Sequence, residues 1–143
     1  MAGFYGEYKC ACDAKGRLFV PAKLRENFGE EKNVILVRSL DPCVSVYPEE
    51  NWKVFEEKIA AMPSTDARKI QRFFYSSMQD ALLDAQGRLQ LPQTLRDYAG
   101  VLKNIIVLGC RDHVEIWDEA SYIAYAAETR TEEIEEILRR NGL

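Results

Sequence analysis

Residues 13–29 read DAKGRLFVPAKLRENFG, and residues 84–100 read DAQGRLQLPQTLRDYAG. Aligned without a gap they share nine of seventeen positions, at a separation of 71 residues. A repeat of this kind changes the question from one domain to how two copies of one unit combine. The likeness continues past both segments. NVILVRSLDPCVSVYPEENW follows the first copy and NIIVLGCRDHVEIWDEASY the second, which is one loop residue shorter. Val44, Val46 and Tyr47 therefore match Val114, Ile116 and Trp117 at a separation of 70.

Both copies predict the same elements. A strand ends near Asp13 or Asp84, and Gly16 or Gly87 completes a tight turn whose positive φ glycine tolerates. In the short strand that follows, Leu18 and Val20 share one face and Phe19 takes the other. Leu89, Leu91 and Gln90 repeat that pattern. Pro21 and Pro92 suit first helical residues, and Gly29 and Gly100 suit the position just past a helix end. The runs VILV and IIVL do not alternate, as expected of strands buried on both faces, whereas CVSVY and HVEIW alternate and predict half-buried strands. Pro48-Glu49-Glu50 opens a helix with Trp52, Phe55, Ile59 and Met62 as its apolar stripe, closed by Pro63. Ser64 or Thr65 caps a second helix on which Ile70, Phe73 and Phe74 share a face. Asp118 is the expected N-cap of a later helix. The stretch TRTEEIEEILRRNGL is helical, with acids early and arginines late. The expected units are residues 1–62 and 77–127 as the two repeats, 63–76 as a connecting helix and 128–143 as a terminal one. No low-complexity linker separates them, so one fused body is expected.

A chain of 143 residues with 47% hydrophobic and 29% charged residues has the composition of a globular protein rather than a disordered one. Its longest apolar runs, such as Ile105-Ile106-Val107-Leu108, are too short for a transmembrane helix. The start MAGFYGEYKC lacks a basic stretch followed by an apolar run, which sets the expectation of a cytoplasmic protein with reduced cysteines. Cys10 and Cys12 share a strand face, but no CxxC pair accompanies them and His113 is the one histidine of the sequence. Buried free thiols are the expectation, with no metal and no cofactor.

The net charge of −4 argues against a uniformly basic nucleic-acid binder. Its distribution does not. Lys9, Lys15, Arg17, Lys23 and Arg25 lie together with one acid, Asp13, while the acids collect at 49–50, 56–57, 115–119 and 128–136. A basic patch on an acidic body still binds phosphate locally, because salt screens charges beyond about 8–10 Å. Between the copies Lys15 becomes Gln86, Lys23 becomes Thr94 and Ala22 becomes Gln93, while Arg17 and Arg25 persist as Arg88 and Arg96. Guanidinium forks suit phosphate and the guanine edge, and a two-stranded ribbon enters a major groove. Every motif residue also has an architectural reading: Asp13 caps the turn, Arg17 pairs with it, and Arg25 and Arg96 are solvated. Arg68, Lys69 and Arg72 are either a second phosphate contact or a solvated helix face. Catalysis has little support. Cys43 and His113 are equivalents across the repeat and could form a dyad only if the halves met about a twofold axis, and no HExxH, GxSxG or glycine-rich phosphate loop occurs.

DAKGRLFVPAKLRE, DAQGRLQLPQTLRDYAG, the spacer DARKIQRFFYSS and the ends VSVYPEENW and VEIWDEASY resemble the MraZ family of bacterial transcriptional regulators over nearly the whole chain. The resemblance implies an α+β fold in which two AbrB/SpoVT-type βαββα repeats form a pseudo-twofold swapped-hairpin β-barrel with flanking helices. It also implies a ring-shaped homo-oligomer, often an octamer. Such a ring would bind double-stranded DNA at short direct repeats upstream of its own gene, at the head of a division and cell-wall gene cluster, in the cytoplasm and nucleoid. DNA contact is implied for Arg17 and Lys15, then Lys23, Arg25, Arg88 and Arg96. Asp13, Gly16, Pro21, Asp84, Gly87 and Pro92 shape the motif. Gln86 stands where the first copy has lysine, so the first half is expected to face DNA and the second to serve assembly or weaker contact. The alternatives are an antitoxin-like module that sequesters a protein partner, a small enzyme on the same scaffold, and a purely structural ring.

Overall fold

A computed structural model describes residues 3–30 and 32–143, so residues 1, 2 and 31 of the first expected unit lie outside the described residues. The order is β1 (Phe4–Ala11), β2 (Arg17–Phe19), α1 (Ala22–Arg25), a 3-10 turn (Glu26–Phe28), β3 (Asn33–Arg38), β4 (Val44–Pro48), α2 (Glu49–Ala60) and α3 (Ser64–Tyr75). It then repeats as β5 (Gln79–Leu82), β6 (Arg88–Gln90), α4 (Gln93–Ala99), β7 (Asn104–Arg111), β8 (Val114–Asp118), α5 (Glu119–Glu128) and α6 (Thr131–Arg140). The α3 and α6 helices thus occupy the same place in each half.

Six strands form one antiparallel sheet in the order β1-β7-β8-β4-β3-β5, and β2 pairs with β6 in a separate ribbon. Exchanging each strand for its equivalent in the other half reverses the sheet order onto itself. The first strand of each half pairs with the other half: β1 runs along β7 from Phe4↔Arg111 to Ala11↔Asn104, and β5 runs along β3 from Asn33↔Leu82 to Leu36↔Gln79.

The α+β class is found, but the expected closed barrel is not. Among the described residues the sheet stays open at β1 and β5. The ribbon strands are three residues long, each bounded by a glycine turn and by Pro21 or Pro92. Proline removes the N–H that further pairing needs. One isolated bridge, Cys12↔Leu18, links β1 to the ribbon.

The core lies between the sheet and the ribbon. Leu18 and Leu89 point inward from the ribbon and Leu24 and Leu95 from α1 and α4, meeting Val34, Leu36, Val44, Val46, Ile105 and Val107. The opposite sheet face carries Ile35 and Val37 under Trp52, Phe55 and Phe74, and Ile106 and Trp117 beside Tyr122. Both apolar runs are therefore covered on two sides, as the absence of alternation predicted. CVSVY is more buried than expected: Cys43, Val44, Ser45 and Val46 are all inaccessible. Met62 lies beyond the end of α2 and is exposed instead of completing its stripe. Pro21 and Pro92 stand at the N-cap rather than at the first helical position, and the N-cap of α3 is Pro63 instead of the expected Ser64 or Thr65. Asp118 does precede α5, yet its Oδ1 accepts a bond from the Leu102 N–H at 3.1 Å, and its side chain does not cap the helix.

Gly16 sits at φ 83°, and a Cβ there would stand 2.5 Å from the Leu91 carbonyl oxygen, a backbone atom of the other half. Gly16→Ala combines left-handed strain with that collision. It should lower stability by about 1–3 kcal/mol in chemical denaturation, whereas an unchanged midpoint would mean that the turn moves freely.

Candidate nucleic-acid interface

Each DxxGR motif is a self-closing turn. Asp13 Oδ1 accepts the Lys15 and Arg17 backbone N–H groups, both at 2.9 Å, and Oδ2 accepts Arg17 Nε at 2.8 Å. Asp84 accepts Gln86 and Arg88 N–H at 2.9 Å and Arg88 Nε at 2.7 Å. Gly16 N–H reaches Asp13 O and Gly87 N–H reaches Asp84 O, each at 2.9 Å. Backbone and side-chain donors from Arg17 lead the causes that hold the Asp13 carboxyl below its ordinary range, and Arg88 does the same for Asp84. The architectural roles expected of aspartate and glycine are thus present.

The turns are then exchanged between halves. Arg25 Nη1 donates to Gln86 O at 3.0 Å, and Arg96 Nη1 donates to Ala14 O at 3.2 Å while its Nε takes Leu91 O at 3.1 Å. Leu91 N–H bonds Gly16 O at 2.8 Å, Val20 N–H bonds Gly87 O at 2.9 Å, and Gln90 Nε2 bonds Lys15 O at 2.9 Å. Arg25 and Arg96 are therefore not simply solvated, because part of each guanidinium holds the opposite turn. Pro21 and Pro92 start the helices by accepting Arg25 and Arg96 N–H, both at 3.0 Å.

Arg17 and Arg88 differ from that pair. Only Nε is engaged, and their side chains are 46% and 42% exposed. Among the described residues their terminal nitrogens have no protein partner, so each presents an open fork. The β2–β6 register is Arg17↔Gln90, Leu18↔Leu89 and Phe19↔Arg88. With the leucines inward, Arg17, Phe19, Arg88 and Gln90 share the outward face. Both arginines stand on one ribbon, so placement does not divide the halves into a DNA face and an assembly face. Lys15 lies exposed on the first turn and Lys23 exposed on α1.

Two neighbours escape a reading of the motif. Phe19 is 60% exposed, and Lys103 lines a shallow cleft with Asp13, Arg17, Phe19 and Arg88. Lys103 reaches this place because its carbonyl accepts the Cys12 N–H at 2.8 Å, a pairing 91 residues long in sequence. The outward position of Phe19 followed from alternation, but nothing in the sequence marked it as part of a site. The face combines two guanidinium forks, which can donate to base edges or phosphates, with an exposed aromatic ring and nearby lysines.

Elsewhere, the Cys43–His113 dyad is not formed. His113 Nδ1 meets Asp112 Oδ1 at 2.8 Å and Nε2 faces Glu115 Oε2 at 3.5 Å. Burial disfavours the imidazolium, but Cys110, Glu115 and Asp112 outweigh it and lift His113 to about 10. Cys43 is wholly inaccessible, and burial first, then Glu115, pushes its thiol far up, which keeps it an inert thiol. All four cysteines are free. Among the described residues no helix is long and apolar enough to cross a membrane.

Comparison with known families matches residues 4–73 and 74–141 to one described as "MraZ protein, putative antitoxin-like". The chain is 44% identical over 137 residues to the transcriptional regulator MraZ of Natranaerobius thermophilus, covering 93% of this chain and 94% of that protein. It is 45% identical over 124 residues to that of Heliobacterium modesticaldum, covering 85% of each, and 46% identical over 125 residues to that of Desulfitobacterium hafniense, covering 86% of each.

A lowered carboxyl pKa stabilises the turn above the unfolded aspartate value of about 3.9 and is lost as pH falls through the folded value. Carbon-detected NMR titration should place the Asp13 and Asp84 midpoints below the ordinary range. Midpoints at or above it would mean that the arginine staples do not persist in solution.

Proposed function

The chain belongs to the MraZ family, and from that membership we propose that it is a DNA-binding transcription regulator that reads promoter DNA with the β2–β6 ribbon. The observation that carries the reading is the pair of open guanidinium forks, Arg17 and Arg88, set diagonally across one outward face. Their Nε groups are already fixed by aspartate, so little side-chain freedom is lost when the remaining nitrogens engage a guanine edge or a phosphate. Lys15, Lys23 and Lys103 supply phosphate contacts around them. Arg25 and Arg96 contribute mainly by holding the turns, with their residual donors near the backbone. Phe19 packs against thymine methyl groups or sugar.

Few contacts per subunit make a lone ribbon a weak binder. The proposal therefore includes a ring-shaped homo-oligomer, octameric in the family's usual form, whose neighbouring subunits engage successive direct repeats and gain by effective concentration. The exposed apolar residues Ile134, Ile137 and Leu138 on α6, and Ile123 on α5, support an assembly surface at that end of the chain. The target sites are short direct repeats upstream of the chain's own gene in a division and cell-wall cluster, which places the protein at the nucleoid. No catalytic role is assigned. A second reading, a module that sequesters a protein partner, draws on the family's antitoxin-like description and on the same apolar strip.

Arg17→Ala and Arg88→Ala should each weaken binding to the chain's upstream DNA by about ten- to hundred-fold in gel-shift titrations, as the loss of a bidentate contact does. Retained affinity in both variants would remove the ribbon from the interface. Lys15→Gln should flatten the slope of log K against log salt by about one for each engaged subunit, and an unchanged slope excludes it from the phosphate set. Light scattering that finds a stable monomer at micromolar concentration rejects the ring.

A further inference from the structure

The turn between β7 and β8 gathers a cluster that the ribbon does not use. Cys110, His113 and Glu115 bring one sulfur, one ring nitrogen and one carboxylate oxygen all within 4.8 Å of one another. The backbone makes this happen. Cys110 N–H bonds His113 O at 2.9 Å, Asp112 N–H bonds Cys110 O at 3.0 Å, and Arg111 adopts φ 71° to close the turn. His113, at the bend that precedes β8, and Glu115, on β8, are two residues apart and turn toward one another. Both are largely covered, with side chains 18% exposed.

The outer partners are also in place. Asp112 Oδ1 accepts Nδ1–H of His113 at 2.8 Å, which leaves Nε2 directed at Glu115 Oε2. Trp117 Nε1 donates to the other carboxylate oxygen, Oε1, at 3.0 Å. The 3.5 Å gap between Nε2 and Oε2 is long for a hydrogen bond. It is close to the edge of a tetrahedron built on bonds of about 2.0–2.3 Å to a small cation. The Tyr47 ring stacks on His113 at 4.8 Å, and Asn51 Nδ2 donates to Asp112 O at 2.9 Å, so side chains from the first half fix the imidazole and the turn.

We propose that Cys110, His113 and Glu115 form a three-ligand site for a zinc-class divalent cation, with the fourth position open to water or to an external ligand. The mixed sulfur, imidazole and carboxylate set selects a borderline transition ion over calcium or magnesium, which prefer oxygen alone. A carboxylate on the remote nitrogen of the histidine, and a donor on the remote oxygen of the glutamate, are the partners that orient such ligands. Closing the site needs the Cys110 sulfur to approach by about an ångström, the scale of a side-chain rotation on a turn. Binding releases the Cys110 thiol proton, and any proton on Nε2 of His113, to solvent, and ties the β7–β8 turn against Tyr47 and Asn51 of the other half.

The experiment uses the full, reduced chain stripped of metal with a chelator and titrated with cobalt(II). A thiolate-to-cobalt charge-transfer band should saturate at about one cobalt per chain and bleach on addition of zinc. Cys110→Ser should abolish the band, and Cys10→Ser should leave it intact. Glu115→Gln keeps an acceptor for Trp117 but removes the anionic ligand, so it tests the site even if Cys110→Ser misfolds. It should weaken cobalt binding by about ten-fold or more. Zinc should raise the melting temperature of the parent chain and not that of Cys110→Ser. No charge-transfer band, a band of equal strength in Cys110→Ser, or undiminished affinity in Glu115→Gln overturns the assignment.

Discussion

The turn after β1 is closed by its own aspartate but steadied by the other half of the chain: Arg96 reaches Ala14 O at 3.2 Å, and Arg25 reaches Gln86 O at 3.0 Å. Around this reciprocal pair the ribbon register, the inward leucines and the outward arginines all fall into place. A carbonyl at a tight turn has no partner within its own half, and a forked donor on a short helix is long enough to supply one from the opposite half. Gly16 has to lack a side chain because the Leu91 carbonyl and Arg96 occupy the space. The same constraint explains why four motif arginines persist across the copies for two reasons. Arg25 and Arg96 are spent largely on the fold, while Arg17 and Arg88 give it one nitrogen and keep the rest.

Local features of this arrangement were legible in the sequence because they depend on neighbours in the chain. The Asp13–Arg17 pair spans four residues, the alternation of Leu18 with Phe19 follows from strand geometry, and VILV announces two covered faces. What stayed hidden depends on partners far away in sequence. That β2 pairs with β6, instead of completing a barrel, rests on strand length and on where the prolines fall. Arg25 reads equally well as a solvated helix residue until Gln86 is placed beside it. Lys103 joins the arginines through a backbone bond to Cys12, which no local pattern encodes. His113 stands out as the sequence's one histidine, but its neighbours in space are Cys110 and Glu115 rather than the repeat-equivalent Cys43.

The charge distribution gains a physical sense from this geometry. The chain carries −4 overall, and the acids sit on helices such as α6, where Glu135 and Glu136 pair with Arg139. On the proposed reading, an acidic body repels a polyanion everywhere except at the ribbon and so orients its approach. Each fork is partly neutralised by its aspartate, so one ribbon carries little net positive charge, in keeping with the proposed recognition by several equivalent faces.

The cross-pairing of first strands also governs how the chain comes into being. On a ribosome β1 emerges early, yet its partner β7 begins 100 residues after Phe4, at Asn104. Until then the nascent first half exposes a strand edge that its own sequence cannot cover, and the ordering entropy of that long loop is met late. Synthesis therefore passes through an interval in which this edge has no partner strand from its own chain. Exchange of halves between two nascent copies is the natural error of such a topology.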